Sequence, residues 1–146
     1  MSLNHLVAGS SLADLVLECD AILAKESSVV QGTYDAAGGA QSVSAAELLG
    51  GYVYNGAAGG GVALTLPAVA DVIAALAAKD ITAAAGMRLP SMVIRVSDAN
   101  NLTVTGNTGT TVVAQGDAVL NAEIGMVHLV FTSASALLAV LVRSAS

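Results

Sequence analysis

The sequence predicts a mainly-β domain, a sandwich or barrel with one or two short helices, preceded by an N-terminal arm or helix. Three observations carry this. From residue 92 onward, stretches rich in Val, Leu, Ile and Thr recur at intervals of roughly 8–12 residues, each closed by Gly, Asn, Asp or Ser; this is the spacing of sandwich or barrel strands rather than of alternating βα units. Helical periodicity is confined to short runs. Hydrophobic residues make up 55% of the chain but aromatic residues only 3%, with one Phe and no Trp, so small aliphatic side chains fill the core. A length of 146 residues suits a single domain and can bury such a core.

In chain order, residues 1–32 read as an arm or helix and residues 33–146 as the β domain. Ser11–Lys25 places Leu12, Leu15, Val16, Cys19, Ile22 and Leu23 at helical spacing, and Ser11 with Asp14 resembles a capping box. An extended arm is the competing reading, because Leu15, Leu17 and Cys19 also alternate with Asp14, Glu18 and Asp20. On the helical reading the six apolar side chains form a contact stripe, expected to pack on neighbouring copies or on the larger assembly they join, with folding back onto the chain's own β domain as the alternative. Leaving such a stripe in water forfeits roughly 1.5–3 kcal/mol for each large side chain. The segment is also acidic: before residue 51 lie six carboxylates, and Lys25 is the only basic residue.

Ser44-Ala-Ala-Glu47 is a capping signature, with Gly50-Gly51 as its stop. Tyr52–Tyr54 and Val62–Leu66 read as strands joined by the flexible turn Asn55–Gly61, and they are expected to pair as a hairpin. The glycines in that turn raise the question of a phosphate loop. Such a loop follows a strand and opens directly into a helix. Here Gly59, Gly60 and Gly61 precede an apolar run, and no Lys-Ser or Lys-Thr follows them, so no nucleotide is expected. Pro67 opens a helix over Ala68–Lys79 with Val69, Val72, Ile73 and Leu76 on one face and Asp71 as a partner for the helix N-terminus.

Strands are predicted at Met92–Asp98, Asn101–Gly106, Thr110–Gln115, Val127–Thr132 and Leu137–Arg143. Asp98–Asn101 and Gly106–Gly109 are tight turns. Asp98, Asn100 and Asn101 lack the spacing and bidentate Glu of a calcium loop, so no metal site is expected. Ile124–Val142 carries no formal charge over a length near that of a spanning helix, but "TSASA" interrupts it, and a β-hairpin covered on both faces is predicted instead.

Composition excludes several function classes. The net charge of −6 and five scattered basic residues argue against nucleic acid. No basic leader with a long apolar stretch opens the sequence, and no membrane role is expected. Cys19 is the only cysteine, and His5 and His128 are the only histidines, none in a recognisable catalytic motif; no enzyme and no cofactor are expected. Charged residues amount to only 11%, too few to solvate a lone domain of this size, so an oligomer is expected.

The order "AAELLGGYVYN", a Gly/Ala turn, "ALTLPAVADVIAAL", "VIRVSDANNLTVTGNTGTTVV" and a closing "LLAVLVRS" resembles small all-β domains of virion structural proteins from tailed bacteriophages and other viruses. The resemblance covers residues 41–146. It implies a jelly-roll-like sandwich acting as a capsid decoration (cement) protein on the capsid surface. It further implies a homotrimer whose partner is the major capsid protein. The alternative is a receptor- or glycan-binding jelly-roll module of a viral fibre or adhesin. Sugar sites favour exposed aromatics, however, and only Tyr34, Tyr52, Tyr54 and Phe131 are available.

Overall fold

The computed structural model describes residues 33–35, 38–114 and 117–144, which belong to one compact unit, Gln31–Ser146. The apolar stripe Leu12, Leu15, Val16, Cys19, Ile22 and Leu23 lies outside the described residues, as does His5.

The fold is a mainly-β sandwich, as the strand spacing predicts. Its elements are β1 (Thr33–Asp35), β2 (Gln41–Ser42), α1 (Ala45–Gly50), β3 (Tyr52–Gly56), β4 (Val62–Thr65) and α2 (Val69–Ala77), followed by β5 (Arg88–Val96), β6 (Leu102–Thr105), β7 (Thr110–Ala114), β8 (Val119–Leu120), β9 (Ile124–Ser133) and β10 (Ala136–Arg143). A six-stranded sheet has the order β1-β3-β5-β9-β10-β7, and a four-stranded sheet the order β2-β4-β6-β8. From β1 to β8 the chain alternates between the two sheets at every step. Neighbours within a sheet therefore run parallel in β1-β3-β5 and β2-β4-β6. Antiparallel pairs join β5 to β9, β9 to β10 and β6 to β8. A jelly roll is built from antiparallel Greek keys; this sandwich has mixed sheets.

That alternation corrects the expected hairpin between Tyr52–Tyr54 and Val62–Leu66. Both stretches are strands, but β3 pairs with β1 and β5 while β4 pairs with β2 and β6. Tyr54 and Leu64 are both fully buried. Placing each strand in its own sheet lets both side chains enter one core, and the glycine-rich turn carries the chain from one sheet to the other.

The helices form where local chemistry dictates. Ser44 Oγ accepts from the Glu47 backbone N–H at 3.3 Å, and Glu47 Oε2 accepts from the Ser44 N–H at 2.8 Å, a complete capping box at the start of α1. Gly51, at φ 85°, ends the helix in a conformation that favours glycine. Helix α2 starts two residues after Pro67, with Asp71 in its first turn, and buries Val69, Val72 and Leu76. Gly109, at φ 80°, passes so close to Val69 that a Cβ there would sit 3.0 Å from that side chain.

The core joins Leu48 of α1, Val72 of α2, Leu64, Leu102 and Leu120 of the smaller sheet, and the inward rows of the larger one. Those inward rows include Tyr54, Met92, Ile94, Leu129, Phe131, Leu137 and Leu141, all fully or almost fully buried. Among the described residues no polar or charged residue is buried.

The predicted hairpin over Ile124–Val142 is present as β9 and β10, joined at Ala134–Ser135. The expectation that both of its faces are covered is not met. Along β9, Gly125, Val127, Leu129 and Phe131 are buried, whereas Ile124, Met126 and His128 are exposed. Among the described residues, the helices and the smaller sheet share the core with the inner face alone.

Candidate functional site: the outer face of the large sheet

Strand register assembles the outward side chains into rows. One row runs Tyr34, Val53, Val93, Met126, Val142 across β1, β3, β5, β9 and β10. The next joins His128 to Val140 and Val113, and another joins Arg88 to Val130, Leu138 and Thr111. At the far end Asn55, Arg95 and Ile124 stand side by side. Tyr34 is 62% exposed, Ile124 51%, Val113 47%, Val142 46% and Met126 41%. Scattered exposed apolar residues are ordinary, but a contiguous field of them marks an interaction surface. The only charged side chains at these outward positions are Arg88 and Arg95; none is a carboxylate.

A bulge shapes the middle of the face. The register of β5 against β9 shifts between Leu89 and Met92, so that Pro90 and Ser91 together oppose His128. Proline cannot donate to a ladder and is tolerated at such a bulge. The bulge turns Ser91 outward, where its Oγ lies 2.9 Å from His128 Nδ1. Around the pair is a groove of about 410 Å³ lined by Arg88, Leu89, Ser91, His128, Leu129, Val130 and Val140. A hydroxyl beside an imidazole is the beginning of a nucleophile–base pair, but such pairs also need a third group to orient the ring. No outward position of the sheet supplies a carboxylate for that purpose. As arranged, the pair and Arg88 give the groove hydrogen-bonding capacity and positive charge within apolar walls.

A second polar group stands at the sheet's edge. Arg95 Nη1 donates to Asn55 Oδ1 at 2.9 Å, and the Asn55 amide donates to the Tyr34 hydroxyl. The result is an exposed aromatic ring held beside an amide and a guanidinium. Tyr52 and Tyr54, by contrast, point inward. Tyr52 donates to Asp35 Oδ2 at 3.1 Å, and burial together with the neighbouring Asp35 carboxylate pushes its phenol well above the ordinary range.

The glycine-rich turn has a different role from an anion loop. Asp98 Oδ1 accepts from the Ala58 N–H at 2.8 Å and Asp98 Oδ2 from the Gly59 N–H at 2.9 Å, while Asn100 Nδ2 donates to Oδ2 at 2.7 Å. An internal carboxylate thus occupies the amides that a phosphate would use. Hydrogen bonds from the Asn100 side chain and the Gly59 amide hold the Asp98 carboxyl down at about 2. Asp98 and Asn100 are therefore turn residues that lock two loops together, and among the described residues no group of three or more His, Cys, Asp or Glu is arranged to hold a metal. No helix among the described residues is long and apolar enough to cross a membrane.

Sequence reasoning located His128 without its partner and did not single out Ser91. The available signal was Pro90 inside an otherwise strand-like run, which marks a bulge. The chain matches no family model, no curated protein and no solved structure.

Proposed function

We propose that the chain is a virion structural protein, a capsid decoration (cement) protein that self-assembles as a homotrimer and binds the major capsid protein at the capsid surface. Catalysis, cofactors, nucleic acid and membrane have no part in this role. The observation that carries the reading is the outer face of the six-stranded sheet, a broad apolar field whose only charges among the described residues are Arg88 and Arg95. A cement protein needs a tightly packed, chemically inert fold and wide contact surfaces, and the small-aliphatic core and low charge suit that requirement. The link to a capsid rests on the resemblance of residues 41–146 to virion proteins. Light scattering at low micromolar concentration is expected to give three times the 14.3 kDa chain mass. A stable monomer overturns self-assembly, and a dimer overturns the trimer. Imaging of purified virions with and without the protein tests the capsid location.

Tyr34 favours a second reading, a glycan-binding module of a viral fibre. Its exposed ring beside Asn55 and Arg95 is the combination of stacking surface and polar groups that a sugar requires. On this reading the protein binds a glycan array, and Tyr34→Ala loses at least tenfold in affinity. A blank array dismisses it.

A further inference from the structure

We infer that the outer face of the six-stranded sheet is covered by the N-terminal segment Leu12–Leu23 of a second copy of this chain. The inference rests on the self-assembly reading and identifies the two surfaces that would make the contact.

Charge selects the occupant. The face is apolar with Arg88 and Arg95 and has no outward carboxylate, so two such faces packed together would bring like charges into the same interface. Residues 1–32 carry Asp14, Glu18, Asp20 and Glu26 against Lys25, four acids to one base and a net charge of −3 with His neutral. They also supply the apolar spacing of Leu12, Leu15, Val16, Cys19, Ile22 and Leu23. An anionic, apolar segment complements a cationic, apolar face in both respects.

Position and length agree. Residues 1–32 lead into Thr33, the start of edge strand β1, which belongs to the same sheet and places Tyr34 on the same face. Nine residues separate Leu23 from Thr33, and the ten steps between them span up to about 33 Å when extended. The six strands are about 24 Å wide, counting five spacings of about 4.8 Å. The segment is therefore long enough to leave its own edge and reach a neighbour. A trimer also needs two different, complementary patches on each copy, because its contacts run head to tail around the ring. The face and the segment are such a pair.

Cys19, the only cysteine in the chain, makes the test direct. Val140→Cys and, in a second variant, Met126→Cys each place one thiol on the face of the full-length protein. Thr103→Cys, on the outward side of the smaller sheet, is the control. Mild oxidation is expected to link Cys19 of one copy to the introduced thiol of another. The products are covalent multimers on a non-reducing gel, with the mixed disulfide identified by peptide mass spectrometry. Cys19→Ser in the same background abolishes them, and Thr103→Cys yields less than a tenth as much. Arg88→Glu with Arg95→Glu slows the cross-linking at least tenfold. An oligomer by light scattering that gives no such link at either position overturns the inference and leaves self-assembly standing. A monomer by light scattering overturns the self-assembly reading itself. A link formed within one chain overturns the exchange between copies.

Discussion

The two faces of the six-stranded sheet are made by the same strands and differ in what they present. Inward, β9 offers Val127, Leu129 and Phe131, and β10 offers Leu137, Ala139 and Leu141, packed against side chains of the smaller sheet and the helices. Outward, the same strands offer Met126, His128 and Val130, and Leu138, Val140 and Val142. Apart from His128, both sets are apolar. What separates them is company. The large aromatic and leucine side chains gather where a second layer receives them. Val130, Val140 and Val142, with Met126, Leu138, Arg88, Ser91 and His128 among them, occupy the side where the described residues supply no second layer. An apolar strand face is thus a statement about eventual cover, and the cover can come from outside the domain.

Three measurements break or sharpen this contrast. The largest effect is expected inside. Phe131 is 1% exposed, and Phe131→Ala should destabilise the fold by about 3–5 kcal/mol, the cost of the lost transfer energy and the cavity together. Denaturant unfolding monitored by circular dichroism checks it, and a loss below about 1 kcal/mol would mean that the inner face is poorly packed.

A smaller, local effect is expected at the rim, where Asp98 holds Ala58 and Gly59. Its carboxyl is held at about 2, below the ordinary range near 3.9, so the unfolded chain takes up the proton at higher pH. The stabilisation is complete above about pH 4 and disappears as pH falls towards about 2. Protection of the Ala58 and Gly59 amides, measured against the intrinsic hydrogen-exchange rate at each pH, should fall over that window, and Asp98→Asn should remove that change. Unchanged protection down to pH 2 would separate the turn from the carboxylate.

The smallest effect on stability is expected outside. Met126→Thr should change unfolding free energy by no more than about 0.5 kcal/mol. The same substitution should lower the assembled mass seen by light scattering at low micromolar concentration. If it instead destabilises the fold as much as a core truncation, the two faces are not functionally distinct.

Parts of this architecture were legible in the sequence because their causes are local. The capping box of α1 is closed within Ser44–Glu47, the stop at Gly51 follows from its backbone requirement, and the β9–β10 turn is announced by the small polar residues between two apolar runs. The apolar face of α2 followed from its period, with Val69, Val72 and Leu76 buried. Other parts depend on pairings that no short window contains. Residues 88–91 lie outside the predicted strand Met92–Asp98, although the bulge opposite His128 lets β5 continue through Pro90. The assignment of β3 and β4 to different sheets is decided by partners forty positions away, Val53 with Val93 and Val62 with Leu102. The Ser91–His128 contact likewise joins residues 37 apart. The contact stripe predicted over Leu12–Leu23 lies outside the described residues.

The alternation of the chain between sheets also governs the order in which the molecule can be made. Parallel neighbours here cannot start as hairpins, since each must wait for an excursion through the opposite sheet, and closing such long loops costs entropy before any contact repays it. In the large sheet, β9 stands between β5 and β10, and β10 is the partner of β7. On the ribosome, β1, β3, β5 and β7 therefore emerge before the central strands that complete their sheet. Their unpaired edges and apolar faces stay open until the β9–β10 hairpin arrives, so refolding should be slow for a chain of this size, and nascent copies crowded on one message are the most exposed to joining the wrong partner.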